Sequence, residues 1–378
     1  MHADETGLLL KQKTYFENLD SLRAVAALLV IFYHFTLWFH FPDGNFYAAV
    51  QRIISFNNLG GPLAVRFFFV LSGFLITYLM FEEQKQNGKF SIKNFYIRRV
   101  LRIFPVYYLS LIIGFIIYPL LMSLREIPFH EVSNPVLFSL FLANFDVMYN
   151  NSPVNGLLGL QWSVAVEEQF YLLAPALFLL AYKKYFSRMQ LLFIAVSYLF
   201  YIRHWNDGTS VPHYHTLSVL SYLAFGSLLA WACSNHFETI TKWLNKISGT
   251  FIFIVYSLCL IFIFFFNDIH EMIPFINAIV LKIITTIFFG FIILEQNYSE
   301  QSVFKMGRIK ILAWLGKISY GIYIYHMTAI YLVIYFFKLN EQTIWFQMIA
   351  ALLLTIAISS ISFFFIEKYF RQLKRKFD

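Results

Sequence analysis

Charge and cysteine are both scarce in this sequence. Only 13% of its 378 residues are Asp, Glu, Lys or Arg, whereas 59% are hydrophobic. This composition excludes an ordinary soluble domain, because the chain has too little polar surface to be solvated. Cys233 and Cys259 lie in apolar surroundings without metal-ligand spacing, so we expect neither a disulfide nor a zinc site. The sequence therefore indicates a polytopic membrane protein.

The net charge of +8 also fits a membrane protein. Lys and Arg are expected in cytoplasmic loops, where anionic lipid headgroups face them. The lipid bilayer is therefore the predicted partner, and no nucleic-acid partner is expected. The N-terminus is polar and mixed in charge, so we expect no cleavable signal peptide.

Apolar runs long enough to cross a bilayer recur along the whole chain. Ten such runs, of which the fifth is short, lie near residues 22–41, 63–81, 103–123, 164–182, 190–202, 216–233, 249–266, 275–294, 312–337 and 344–366. A further run at 136–148 is too short to count as a span. We predict an all-α polytopic membrane protein, a single domain over residues 1–378, with about ten transmembrane helices plus one short non-crossing or re-entrant segment.

The loop at 149–163 sets the predicted topology, because it contains no Lys or Arg. If the run at 136–148 does not cross, cytoplasmic segments hold 21 basic residues and the outer loops hold only four, namely Arg52, Arg125, Arg203 and Lys338. This asymmetry predicts that both termini face the cytoplasm. Residues 1–20 then form a cytoplasmic N-terminal segment, and residues 367–378 form a basic cytoplasmic tail.

Arg23 and His34 lie in the first predicted span, LRAVAALLVIFYH. A charge inside the hydrocarbon layer costs about 3 kcal/mol on insertion scales, so Arg23 needs a partner or a function. Eleven residues at 100° each close three turns plus about 20°, so the two side chains share a face, about 16 Å apart. Alternatively, Arg23 reaches the inner headgroups and His34 is a satisfied core residue.

The segment FYIRRVLRIFPVYY places Arg98, Arg99 and Arg102 where the chain re-enters the membrane. Spacings of three and four residues put Arg102 on one helical face with Arg99 or Arg98. Guanidinium groups at a helix start suit phosphate, because bidentate hydrogen bonds and the helix dipole act together. The alternative is ordinary basic charge that orients the chain in the membrane.

The segment QWSVAVEEQFYLLAP contains the adjacent carboxylates Glu167 and Glu168. Adjacent helical residues point about 100° apart, so we expect at most one of them to face a given site. A buried carboxylate is costly unless it is paired or protonated, which makes one of them a candidate partner for a histidine or an arginine. Alternatively, both simply favour a helix N-terminus.

A second histidine follows in LGKISYGIYIYH, where Lys317 begins the span and His326 lies about 13 Å deeper. His326 is therefore predicted at a depth similar to that of His34, and Arg66 near the outer end of the same polar path. Nearby tyrosines are expected to pack rather than react. Histidines in the loop at 201–215 match no zinc spacing, so we expect no metal.

Five segments together resemble the acyltransferase-3 family of integral membrane acyltransferases. They are NLDSLRAVAALLVIFYHF, FFFVLSGFLI, RRVLRIFPVYY, QWSVAVEEQFYLLAP and ISYGIYIYH. The resemblance implies that His34 is the catalytic histidine and that Arg23 belongs to the same path. It also implies that Arg99 and Arg102 form the Arg-x-x-Arg element linked to donor binding.

The resemblance further implies an O-acyltransferase, most often an acetyltransferase, that uses cytoplasmic acyl-CoA and acylates a cell-envelope glycan or lipid-linked sugar. His34 would act as a base or take the acyl group itself, with Glu167 or Glu168 setting its tautomer. Because only a short basic tail follows the last span, we expect a membrane module alone. A transporter is the alternative, since buried ionisable residues in ten spans also describe a carrier.

Overall fold

The computed structural model of the protein describes residues 16–39, 41–182, 185–266, 274–337 and 343–377. Five basic residues of the predicted loop count lie outside these ranges, namely Lys11, Lys13, Lys183, Lys184 and Lys338. The predicted N-terminal segment is therefore described only from residue 16. Every regular element in the described ranges is a helix, and no strand occurs among them.

The first half of the chain forms nine helices. They are α1 (Glu17–Trp38), α2 (Asn45–Ile54), α3 (Gly60–Asn87), α4 (Ile92–Ile112), α5 (Tyr118–Leu124), α6 (Pro135–Ser139), α7 (Ala143–Asn150), α8 (Gly156–Gly159) and α9 (Gln161–Ala181). A π-helical turn at Ile113–Ile117 joins α4 to α5.

The second half continues with ten further described helices. They are α10 (Phe186–His204), α11 (Val211–Tyr214), α12 (Thr216–Asn235), α13 (Phe237–Lys246), α14 (Gly249–Phe264), α15 (Pro274–Tyr298), α16 (Lys310–Lys317), α17 (Ser319–Phe336), α18 (Ile344–Ser362) and α19 (Lys368–Lys374). A second π-helical turn at Phe363–Glu367 joins α18 to α19, and short 3-10 turns form at Met306–Arg308 and Arg375–Phe377.

Among the described residues, seven helices or continuous helical runs are long and apolar enough to cross a membrane. Two bent pairs raise this number to nine if each pair is one span: α13 with α14, at 90°, and α16 with α17, at 77°. The described residues therefore support seven to nine candidate spans, and the predicted count of about ten is not confirmed. The difference is α10, a helix over the short run at 190–202 that is not among these candidates and carries Arg188 and Arg203 near its ends.

The run at 136–148 divides between two short helices. Its residues fall in α6 and α7, which have five and eight residues. Eight residues of helix rise only about 12 Å, which is less than half of the hydrocarbon thickness. Neither helix is long enough to cross the membrane.

Helices α3 and α12 pack with their backbones in close approach. A Cβ atom on Gly73 would lie 2.0 Å from the carbonyl oxygen of Leu223, and one on Gly226 would lie 2.0 Å from that of Val70. Small residues at a crossing allow membrane helices to approach this closely. Since α12 also packs on α10, and α3 packs on α1 and α9, this crossing connects α10 with the helices on the other side of α3.

The bend between α16 and α17 brings two distant parts of the chain together. A Cβ atom on Gly316 would lie 1.9 Å from the carbonyl oxygen of Asp20, so α16 crosses the start of α1 in direct backbone contact. After the 77° bend, α17 runs along α1. This arrangement places the residues of ISYGIYIYH beside those of LRAVAALLVIFYH.

We expect Gly226→Ala to lower the thermal stability of the protein, because the new methyl group must push α12 away from the backbone of α3. Overpacking of this kind costs about 1–3 kcal/mol. The measurement is the melting temperature in detergent, followed as a thiol-reactive dye labels Cys233, which is 1% exposed, in a Cys259→Ser background.

The matched control is Gly159→Ala, because the nearest atom to its Cβ would be Pro153 Cγ at an ordinary 3.8 Å. We expect this variant to melt like the parent. Equal melting temperatures for the two variants would contradict the close α3–α12 crossing.

Candidate functional site

A cavity of about 920 Å³ penetrates the bundle between α1, α3, α4, α9 and α17. Its lining on α3 runs from Asn87 to Val65, a rise of about 33 Å, which is close to the thickness of the hydrocarbon layer. The volume falls within the range of ligand-binding clefts. Seven of the predicted site residues line it, namely Arg23, Arg98, Arg99, Arg102, Glu167, Glu168 and Lys317.

Arg98 holds together three chain segments at the open rim of the cavity. Its Nη2 lies 2.5 Å from Glu83 Oε2 at the end of α3, and its Nη1 donates to the carbonyl oxygen of Phe377 at 2.7 Å. The guanidinium is therefore engaged by partners from within the chain. Sequence spacing alone grouped Arg98 with its two neighbours and could not show this difference.

Arg99 and Arg102 lie deeper on the same helix. The guanidinium carbon of Arg99 is 5.6 Å from the ring centre of Phe95 and 5.7 Å from that of Tyr171, and its buried Nε has no hydrogen-bond partner among the described residues. Within the ranges that the structure describes, no carboxylate lies within 4.0 Å of the guanidinium of Arg99 or Arg102. In this respect both differ from Arg98, which is paired with Glu83.

Both adjacent glutamates line the cavity, although the 100° rule led us to expect only one. Glu167 accepts hydrogen bonds from Ser72 Oγ at 2.9 Å and from Tyr171 Oη at 3.0 Å. Glu168 lies on the side of Arg99, and its buried Oε1 has no hydrogen-bond partner among the described residues. The expectation was wrong because the cavity is wide enough to surround more than one face of α9.

Arg23 lines the cavity and pairs with a carboxylate on its own helix. Its Nη1 lies 2.9 Å from Asp20 Oδ1, one turn earlier, and its side chain is 19% exposed. The pair lies beside the Gly316 crossing, whose close contact is with the carbonyl oxygen of the same Asp20. Arg23 thus has a partner within the protein.

His34 and His326 are in direct contact. His326 Nε2 lies 3.2 Å from His34 Nδ1, and the two ring centres are 4.9 Å apart. His34 Nδ1 also lies 2.8 Å from the carbonyl oxygen of Val30, and His326 Nδ1 lies 2.8 Å from that of Tyr323. His326 is fully buried, whereas His34 is partly exposed.

Neither histidine of this pair is among the residues that line the cavity, and the nearest lining residue along α17 is Tyr323. Tyr323, one turn before His326, lines the cavity, and its hydroxyl lies 2.6 Å from Ser163 Oγ, which also lines it. From the sequence, Tyr323 was expected to pack and Ser72 to allow close approach of helix backbones, and neither Ser163 nor Tyr171 was given a role. All four residues lie in segments that were selected for other reasons, and this was the one sequence feature that could have indicated them.

Arg66 belongs to a second cluster, formed by α3 with α10, α12 and α15. Its charge acts on Tyr198, Tyr222 and Lys282, and it has no contact with either histidine among the described residues. Lys282 Nζ donates to the carbonyl oxygen of Ser218 at 2.5 Å and lies 4.5 to 5.3 Å from three tyrosine ring centres. The predicted path through Arg66 is therefore not the one that the cavity follows.

The polar side chains of the loop after α10 form hydrogen bonds with one another. His204 Nδ1 lies 2.7 Å from Asp207 Oδ2, and the hydroxyl and backbone N–H of Thr209 donate to Asp207 Oδ1. These donors, the Thr209 hydroxyl first, lower the pKa of Asp207 to about 2. In the part of the chain that the structure describes, no three His, Cys, Asp or Glu residues form a group that could hold a metal ion.

In the described part of the chain, several apolar helices surround a charged cavity of the size that small ligands occupy, which defines a multi-pass membrane protein with an internal cleft. The chain belongs to the acyltransferase-3 family, whose acyltransferase domain matches residues 16–364. This match confirms the predicted family and makes the chain an acyltransferase. No solved structure matches it.

Three relatives illustrate the similarity. The peptidoglycan O-acetyltransferase OatA of Listeria monocytogenes is 30% identical over 384 residues, covering 95% of this chain and 56% of the relative. A candidate O-acetyltransferase of Staphylococcus aureus is 28% identical over 387 residues, covering 96% and 58%. YrhL of Bacillus subtilis, a candidate peptidoglycan O-acetyltransferase, is 26% identical over 387 residues, covering 94% and 55%. The chain thus spans about half the length of these relatives.

Proposed function

We propose that this chain transfers an acetyl or other short acyl group from cytoplasmic acyl-CoA to a hydroxyl group of a cell-envelope glycan or lipid-linked sugar. The supporting observation is the cavity itself, which extends from an arginine-rich rim to Tyr323, one helical turn before His326, and His326 in turn contacts His34. The names of the relatives make peptidoglycan or its lipid-linked precursor the first acceptor to test.

The donor would bind through its phosphates at Arg99 and Arg102. Arg23, Arg98 and Arg371 each have a carboxylate partner within the chain, which leaves the other two guanidinium groups for an anion. Guanidinium groups bind phosphate through paired, charge-assisted hydrogen bonds. The acyl thioester would then extend along the cavity toward Tyr323.

His34 would act as the general base at the deep end. The acceptor hydroxyl gives its proton to the ring nitrogen of His34 that faces away from His326, while its oxygen attacks the thioester carbonyl carbon. The carbon–sulfur bond breaks, CoA leaves as its thiolate, and the proton passes from His34 to that sulfur. Glu167 and Glu168 would balance the charges of the arginines in the cavity and would not orient His34. The groups that contact His34 Nδ1 are the carbonyl oxygen of Val30 and His326 Nε2.

The open rim would face the cytoplasm of a bacterial inner membrane. Arg98, Lys317 and Lys374 all lie at this rim, together with the last described residues of the chain. Basic residues concentrate on the cytoplasmic side of membrane proteins. Acyl-CoA is made in the cytoplasm, so the same orientation lets the donor enter from its own compartment.

We expect His34→Ala to abolish O-acetylation of the cell wall, a loss of at least about 100-fold, because the proton acceptor is gone. The measurement is acetate released by alkali from the glycan of a strain that lacks its own enzyme. Leu37→Ala, on the same helix and 57% exposed, is the matched control and should retain activity. Normal acetylation by a His34→Ala protein that reaches the membrane would refute the proposed function.

We expect Arg99→Ala combined with Arg102→Ala to weaken donor use chiefly through a higher KM for acetyl-CoA. Each lost charge-assisted hydrogen bond is worth about 1.5–3 kcal/mol, so the increase should be at least about tenfold. Lys93→Ala, on an exposed turn of the same helix outside the cavity, is the control. If the purified parent neither binds nor hydrolyses acetyl-CoA, an exporter of a glycan or anionic metabolite becomes the better hypothesis.

The orientation predicts the labelling of single cysteines in a Cys233→Ser, Cys259→Ser background. Tyr149→Cys, at an exposed position near the end of α7 where the segment 149–163 without Lys and Arg begins, should react with an impermeant maleimide in intact cells. Lys89→Cys, exposed beside the rim, should react only after the membrane is permeabilised. The opposite pattern would place the rim outside.

A further inference from the structure

His326 carries its proton on Nδ1. That nitrogen lies 2.8 Å from the carbonyl oxygen of Tyr323 and 3.3 Å from that of Ile322. A carbonyl oxygen can only accept a hydrogen bond, so Nδ1 must be the donor, an assignment made from its hydrogen-bond partners. In the neutral ring, the lone pair is therefore on Nε2, the atom that faces His34.

His34 must then also carry its proton on Nδ1. This nitrogen has two neighbours that can only accept, namely the carbonyl oxygen of Val30 at 2.8 Å and His326 Nε2 at 3.2 Å. One N–H shared between them satisfies both. The lone pair of neutral His34 is consequently on Nε2, on the side of the ring away from His326.

We propose that His326 is the positioning residue of the reaction, and that it directs His34 to react through Nε2. This inference depends on the proposed role of His34, and it applies whether His34 removes a proton or takes the acyl group. Nδ1–H of His34, held by His326 and Val30, fixes the tautomer and prevents the ring from turning over. When Nε2 gains a proton, the same bond becomes charge-assisted and stabilises the imidazolium.

The position of His326 corresponds to the one that a carboxylate holds in a catalytic triad. Among the described residues, no carboxylate and no cation contacts either ring, and the other rings in contact are those of Tyr33 and Tyr323. The orienting group is thus a neutral nitrogen. Its own orientation is fixed by backbone carbonyls of α17.

The test compares three substitutions at His326 in the full-length protein in membranes. Gln can place its Oε1 near the position of the lost Nε2, whereas the shorter Asn cannot, and Leu offers no acceptor. We expect His326→Leu and His326→Asn to lower kcat about 10- to 100-fold with less than a twofold change in KM for acetyl-CoA. His326→Gln should recover kcat to within about fivefold of the parent.

The outcomes separate this inference from the proposed function. Full activity of all three variants, while His34→Ala is inactive, would overturn the positioning role and leave the function intact. Equal loss in Asn and Gln would also overturn it, because the residue would then serve packing alone. If the His326→Leu variant does not accumulate, the comparison of kcat between His326→Asn and His326→Gln tests the positioning role, since both side chains are polar and of similar size. Activity of His34→Ala would instead refute the function itself.

Discussion

The structure depends on the backbone contact between Gly316 and Asp20. Only a residue without a Cβ allows α16 to cross the start of α1 at this distance. The crossing precedes the bend that lets α17 run along α1, and so it determines which side chains of the two helices meet. The carboxylate of the same Asp20 pairs with Arg23, so a single residue at the start of α1 takes part in both the helix crossing and the ion pair.

The charges around the cavity fall into two groups with different physical roles. Arg23, Arg98 and Arg371 are paired with carboxylates of the chain and hold its segments in place. Arg99 and Arg102 have no such partner within 4.0 Å among the described residues, and they lie between the rim and the deep wall. Since an unpaired charge in a membrane protein is costly, these two guanidinium groups are the ones that the proposed anionic donor would pair.

Periodicity predicted what lies on one helix, but not what long-range packing brings together. The shared face of Arg23 and His34 and the similar depth of His326 followed from 3.6 residues per turn. The hydrogen bond from Ser72 to Glu167 spans 95 positions of the sequence, and the one from Arg98 to Phe377 spans 279. No local sequence pattern can contain such pairs. The span count of about ten is not confirmed for a different reason: α10, which covers the short run at 190–202, is not among the helices apolar enough to cross.

In the histidine pair, neutral groups occupy the place of the carboxylate that orients the histidine of a catalytic triad. A carboxylate beside His34 would bring a charge into a region where each unpaired charge costs several kcal/mol, and it would need partners of its own. Backbone carbonyls of α1 and α17 are already present and carry no net charge. By fixing one tautomer in each ring, they give His34 the orientation that an acidic residue would give. The charges can then remain at the arginine cluster, where the proposed polyanionic donor would neutralise them.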